Sequence, residues 1–161
     1  MPCLRAFTDH MMAFVRQQKL NGWDSTLPIP QDLKAEIRNL DSLTAQWKGR
    51  SFSQKVPVRT LHSDSSDKAW AGINVQTGEK VQEFWRTRAG LHINVKEMAA
   101  AIWTVKSLSR PQEVVHLCVD NTTAFWYLKK GGGRLPHLNH LMRDFWQWCM
   151  DRHITVTVEL V

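Results

Sequence analysis

Three carboxylates, Asp64, Glu97 and Asp120, are the residues of this chain best placed to do chemistry. Asp64 closes the apolar run that begins at Val56, and Asp120 closes the run Val114–Val119. Glu97 opens the strongest helical pattern in the sequence. An alternating β/α order would bring two such strand ends and a helix start to one edge. A ligand set made only of oxygens suits a hard divalent cation such as magnesium. Two such ions about 4 Å apart can hold both the attacking water and the leaving oxygen of a phosphodiester. Asp67 competes with Asp64 for this role, but its turn position makes it the weaker candidate.

Each acid also has a plainer reading. Aspartate is favoured in turns, which would account for Asp64. Asn94-Val95-Lys96-Glu97 has the spacing of a capping box, in which Glu97 would face backbone. Asp120, or Asn121, could cap a helix starting near Thr122. Singly, each plain reading is the commoner one; jointly, three acids at one edge favour metal.

The basic residues divide in the same way. Lys129, Lys130, Arg134, His137, His140 and Arg143 surround Gly131-Gly132-Gly133. The glycines would let backbone approach a phosphate. The alternative is an ordinary glycine helix stop with favourable dipole charges. Trp70 and Trp126 are candidates for stacking on a sugar or base. The other tryptophans, His62 and His92 read as structural.

These residues need elements to position them. Helical spacing of Leu4, Phe7, Met11 and Val15 predicts one helix. A second starts near Pro30 and carries Leu33, Ile37, Leu40 and Trp47. Ser51–Lys55 reads as a linker. Strands are then expected at Val56–Asp64, Trp70–Val75 and Val81–Thr87, with Gln76-Thr77-Gly78-Glu79 as a hairpin turn. Helix Asn94–Leu108, strand Val114–Asp120, helices Thr122–Lys130 and His137–Asp151, and strand Ile154–Val161 complete the order. Three strands can form an antiparallel meander. The later ones need helical crossovers and run parallel to a neighbour. The class is α/β: a mixed five-stranded sheet with helices on its faces, preceded by a small helical segment. Ligands of such sheets gather at the carboxyl ends of the central parallel strands.

With 43% hydrophobic residues and eight tryptophans in 161, the chain can build a core and is not of the disordered class. No run of 18 apolar residues indicates a membrane span. The segment Met1-Pro2-Cys3-Leu4-Arg5 has no signal-peptide character. Cys3, Cys118 and Cys149 are odd in number and widely spaced, matching neither a zinc site nor a disulfide framework. Cys118 and Cys149 read as small core residues. An intracellular location, cytoplasmic or nuclear, and no membrane partner are expected. The net charge of +6 permits, without requiring, neutralisation of nucleic-acid phosphates.

Three stretches carry a family resemblance: Ser63-Asp64-Ser65-Ser66-Asp67-Lys68-Ala69-Trp70, His92-Ile93-Asn94-Val95-Lys96-Glu97-Met98 and Val119-Asp120-Asn121-Thr122-Thr123-Ala124. They are similar, in order and spacing, to the TDASxxGWG, HINxxEL and xDNTTA patterns of retroelement ribonuclease H domains. Residues 60 to 161 thus resemble the ribonuclease H domain of reverse transcriptases, most of all the DIRS type. Residues 1–52, notably Gly22-Trp23-Asp24 and Trp47-Lys48-Gly49-Arg50, resemble the helical connection before that domain, which leaves 56–161 as a ribonuclease H-like domain.

The resemblance implies hydrolysis of the RNA strand of RNA–DNA hybrids, within a retrotransposon polyprotein whose polymerase domains are partners. It implies two Mg2+ ions, for which Mn2+ can substitute. Asp64, Glu97 and Asp120 match three catalytic, metal-binding acids, with Asp64 the bridge; Asp67 matches an often acidic but non-catalytic position. Asn94, Asn121, Thr122, Trp126, Lys129, Lys130 and Arg134 are the expected nucleic-acid contacts. Ala69 and Ala71 replace family glycines. The family's last helix and fourth acid have no match before Val161, Glu159 being a surrogate by proximity alone. The alternative is therefore a catalytically inactive nucleic-acid-binding or structural module.

Overall fold

The computed structural model describes residues 4–46, 56–86 and 90–161. Cys3, Trp47–Arg50, the expected linker Ser51–Lys55 and the expected strand end Thr87 lie outside the described residues. A short 3-10 turn, Leu4–Phe7, leads into helices α1 (Asp9–Asn21) and α2 (Gln31–Gln46). Strands β1 (Arg59–Ser65), β2 (Ala69–Asn74) and β3 (Lys80–Phe84) follow, then α3 (Ile93–Leu108), β4 (Val114–Val119), α4 (Thr122–Lys130), α5 (Pro136–Asp151) and β5 (Thr155–Leu160).

The strands form one sheet in the order β3-β2-β1-β4-β5. β1–β2 and β2–β3 pair antiparallel; β1–β4 and β4–β5 pair parallel. Local chemistry explains the meander. Ser66 makes the first turn, its backbone N–H donating to Ala69 O at 2.8 Å and its Oγ accepting from Ala69 N at 3.1 Å. In the second, Asn74 Oδ1 accepts from Gln76 N at 3.0 Å, and Gly78 takes the positive φ of 72° that closes the hairpin. Parallel neighbours cannot be joined by a hairpin, so α3 crosses over between β3 and β4, and α4–α5 between β4 and β5.

Alternation along the strands gives the sheet one apolar face. Leu61, Val115, Leu117 and Val119 are buried there against Met98, Ile102 and Val105 of α3, Leu128 of α4, and Leu138, Met142 and Phe145 of α5. The opposite face carries the alternate residues, among them His62, Gln82, Phe84, Thr157 and Glu159, all exposed. The helices α3, α4 and α5 therefore share one face rather than both. α3 seats tightly because Gly72 on β2 lies under Thr104, and a Cβ there would overlap that side chain.

The N-terminal segment differs from the periodicity. α1 buries none of its residues, and Val15 and Ile37 are exposed. What holds α1 is polar: the buried Glu36 of α2 accepts hydrogen bonds from His10 N (2.8 Å) and Met11 N (2.7 Å), satisfying two orphan donors of the α1 N-terminus. Phe7 and Ala6 are buried, and Ala6 N donates to Gly131 O at 3.0 Å.

β1 starts at Arg59, not Val56. Pro57 has no N–H to give a ladder, and Val56 and Val58 are exposed. β5 starts at Thr155 rather than Ile154, because His153 turns the chain with a φ of 56°.

Two substitutions test this packing by urea denaturation. Gly72→Ala is expected to cost about 1–3 kcal/mol through overpacking against Thr104. Glu36→Ala is expected to cost about 1–2 kcal/mol by uncapping α1.

Candidate metal centre

Because β1 and β4 are parallel neighbours, their carboxyl ends lie at the same edge of the sheet. Asp64 is the penultimate residue of β1, and Asp120 immediately follows β4. Glu97 lies at the start of α3, whose N-terminal turns reach back to that edge. The three side chains offer carboxylate oxygens that all lie within 4.8 Å of one another. Glu97 is only 7% exposed, while Asp64 and Asp120 are open to solvent. Burial, with the nearby charges of Asp120 and then Asp64, pushes the Glu97 carboxyl up to about 7.

Neighbouring residues perform the plainer roles open to these acids. The N-cap of α3 is His92, whose Nδ1 accepts from Asn94 N at 3.2 Å. The capping box between Asn94 and Glu97 is therefore absent, because the helix begins two residues too early for it. The N-cap of α4 is Asn121, whose Oδ1 accepts from Ala124 N at 2.9 Å. The turn after β1 is built by Ser66, as described above. Asp64 makes one local contact, accepting from Ser65 N at 2.7 Å.

Asp67 does not join the cluster. It accepts from the Nζ of the buried Lys96 at 2.8 Å, and that ammonium holds its carboxyl below the usual range.

The two asparagines tie the frame together. Asn121 Nδ2 donates to Asn94 Oδ1 at 3.1 Å, joining the start of α4 to the start of α3 on either side of the acids. Trp126 is 44% exposed, with Lys130 Nζ at 4.4 Å from its ring centroid; Lys129 Nζ lies 4.9 Å from the Phe125 ring. Thr122 and Arg134 are exposed. Trp70 is not available for stacking: it is 4% exposed and packs edge-on against Trp103 at 5.4 Å. A cleft of about 290 Å³ runs from Asp64 past Ser66 and Ala71 to Gln82 and the exposed Phe84.

The glycine turn is accounted for by packing. Gly131 caps α4 in the left-handed conformation, and a Cβ on Gly133 would overlap the Tyr127 ring. The buried Asn139 accepts from Gly133 N at 2.7 Å and donates to Asp9 Oδ1 at 2.6 Å. Gly131 and Gly132 are both buried, which leaves their backbone no open approach for a phosphate.

No protein-family profile matches the sequence, and no curated protein is significantly similar to it. Among solved structures, LC11-RNase H1 in complex with an RNA/DNA hybrid aligns with a TM-score of 0.51. The alignment has 10% identity over 63% of this chain and 85% of that one. The fold is ribonuclease H-like. A foamy viral protease–reverse transcriptase in complex with dsDNA aligns over 92% of this chain and 33% of its own, at 12% identity. Its TM-score of 0.41 is too low to establish a common fold over that span.

The ribonuclease H-like sheet also sets together residues that the motifs did not suggest. His116, Cys118 and Glu159 offer ligand atoms within 4.8 Å of one another on β4 and β5. Glu159 accordingly faces His116 and Cys118 instead of completing the acidic cluster. The signal in sequence is a His-x-Cys pair on one strand face, but finding its partner requires the β4–β5 register.

Glu97 generates a pH prediction. Its carboxyl holds a proton more tightly when folded than when unfolded, so the native state binds more protons between pH about 4.5 and 7. Metal-free protein should lose stability as pH rises through that window and level off above it. Glu97→Gln removes the penalty. Its thermal unfolding above pH 7 in chelator should show a stability gain of up to about 3 kcal/mol that shrinks as pH falls from 7 and is gone by about 4.5.

Proposed function

We propose that this chain is a ribonuclease H-type endonuclease that hydrolyses the RNA strand of RNA–DNA hybrids. Asp64, Glu97 and Asp120 would be its metal-binding, catalytic carboxylates. One observation carries the reading: three carboxylates converge at the carboxyl edge of a ribonuclease H-like sheet while His92, Asn121 and Ser66 do the capping and turning. The donor set fits Mg2+, and Mn2+ as a substitute, because it is all oxygen. The carboxyl of Glu97 is raised partly by crowding of like charge, which a cation relieves.

Divalent ions bound there supply charge neutralisation at the phosphate and an acidified water. The protein's own groups do the rest. Asp64 and Asp120, both exposed, present their oxygens to solvent and substrate from adjacent strands. Glu97 offers a carboxylate from the buried side. Lys129, Lys130 and Arg134 would neutralise phosphates, with Trp126 held beside Lys130 as a stacking surface. Asn94, Asn121 and Thr122 would contact the RNA strand next to the acids, where 2′-hydroxyls distinguish it from DNA. The sequence motifs favour a retroelement reverse transcriptase as the parent protein, with its polymerase domains as partners.

A second reading, hybrid binding without cleavage, is favoured by the position of Glu159. Facing His116, it leaves three carboxylates in the cluster among the described residues.

A labelled RNA–DNA hybrid in Mg2+ distinguishes the two. The nuclease reading expects RNA-strand cleavage that falls at least about 100-fold in Asp120→Asn and in Asp64→Asn. No cleavage by the parent chain, with hybrid binding intact in Asp120→Asn, supports the second reading and sinks the first. Replacing Lys129 and Lys130 by alanine should weaken hybrid binding. It should also lower the slope of log affinity against log salt by about 1 for each phosphate no longer neutralised.

A further inference from the structure

The polar face of the sheet carries a second group of metal-ligating atoms with a different chemistry. His116 and Cys118, two apart on β4, project to the same face, and Glu159 of β5 is in register with Cys118. A ring nitrogen of His116, the Cys118 Sγ and a Glu159 carboxylate oxygen lie within 4.8 Å of one another. Cys118 is buried, while His116 and Glu159 are 28% and 59% exposed at their side chains, so an ion can enter from solvent.

The hydrogen-bond network orients the imidazole. Thr157 Oγ1, in register with His116, donates to Val115 O at 3.3 Å. The same hydroxyl oxygen lies 3.1 Å from His116 Nδ1 and so fixes the plane of the ring. The remaining nitrogen, Nε2, points at Glu159 Oε2, 2.7 Å away. At 2.7 Å the two share a hydrogen bond, and both atoms become free to ligate an ion when that proton leaves. Fixing one ring nitrogen through an outer hydrogen bond is how proteins prepare a histidine ligand.

We infer that His116, Cys118 and Glu159 form a site for a borderline transition-metal ion of the zinc class, with its remaining position open to water. A mixed sulfur, nitrogen and oxygen donor set selects such an ion over magnesium, which prefers oxygen alone. Tetrahedral coordination at about 2.0–2.3 Å per bond sets ligand atoms roughly 3.3–3.8 Å apart. Nε2 and Oε2 need separate by only about 0.6 Å to reach that, a motion within the freedom of the exposed Glu159 side chain. On binding, the ion takes the place of the thiol proton and of the proton between Nε2 and Oε2, both of which leave to solvent. The site joins β4 to the edge strand β5, so loading it ties that edge down. It is chemically separate from the acidic cluster and does not rest on the nuclease reading.

The test uses the full chain carrying Asp64→Asn and Asp120→Asn, which removes the carboxylate cluster's own affinity for cations. Isothermal titration with Zn2+ should give one equivalent, with a rise in melting temperature as the ion binds the native state. Co2+ in its place should produce a thiolate-to-metal charge-transfer band in the near ultraviolet. Cys118→Ser should abolish the band, and both Cys118→Ser and Glu159→Gln should weaken Zn2+ binding more than about tenfold. Glu159 is exposed, so its variant keeps the test open if Cys118→Ser fails to fold. Undiminished Zn2+ affinity in folded Cys118→Ser or in Glu159→Gln, or a Co2+ spectrum without a thiolate band, would overturn the proposal.

Discussion

Parallel pairing of β1 with β4 is the constraint on which the rest of the molecule depends. Leu61 sits against Leu117 and His62 against Cys118, so both strands present apolar residues to the helices and polar ones to the other face. The same pairing sets Asp64 and Asp120 side by side at the carboxyl edge. It also forces a helical crossover, and that crossover delivers Glu97 to the same place. A one-residue slip of β1 would turn that strand over, burying His62 and exposing Leu61. Core and acidic cluster are thus consequences of one register.

The cluster carries an electrostatic cost that the fold absorbs locally. Glu97 is buried beside two like charges and answers by holding its proton to about pH 7. Next to it in sequence, Lys96 is also buried, but its ammonium reaches Asp67 at 2.8 Å and stays paired. Adjacent residues on one helix thereby face opposite demands, the lysine satisfied within the chain and the glutamate crowded by its own kind. A cation is the natural complement to such crowding. The second group, His116, Cys118 and Glu159, differs in that two of its members, His116 and Glu159, already hydrogen-bond each other.

Where sequence reasoning succeeds and where it errs follows from the range of the forces involved. The order of strands and helices is legible because period-two and period-3.6 patterns are local. Helix Thr122–Lys130 can be bounded to the residue, since Asn121 and Gly131 are strong local caps. The α1 region misleads because its helical spacing of apolar residues is not matched by burial; Glu36 from another helix secures it instead. Trp70 reads as a stacking candidate and is core, because the strand pattern cannot say which face Trp103 will cover. Cys118 reads as a small core residue and is indeed buried, but its register with Glu159 is invisible along the chain.

By itself the sequence determined the α/β class, the antiparallel meander followed by parallel strands, and the candidacy of Asp64, Glu97 and Asp120. These rest on local periodicity, turn chemistry and the types of residue at element ends. Tertiary structure alone decided that Glu97 is not in a capping box, that Asp67 belongs to Lys96, and that Glu159 faces His116. Each of those outcomes depends on which of two nearby polar groups a side chain reaches. That choice is made by strand register and by a two-residue difference in where a helix starts, distances of a few ångströms that no pattern along the chain records.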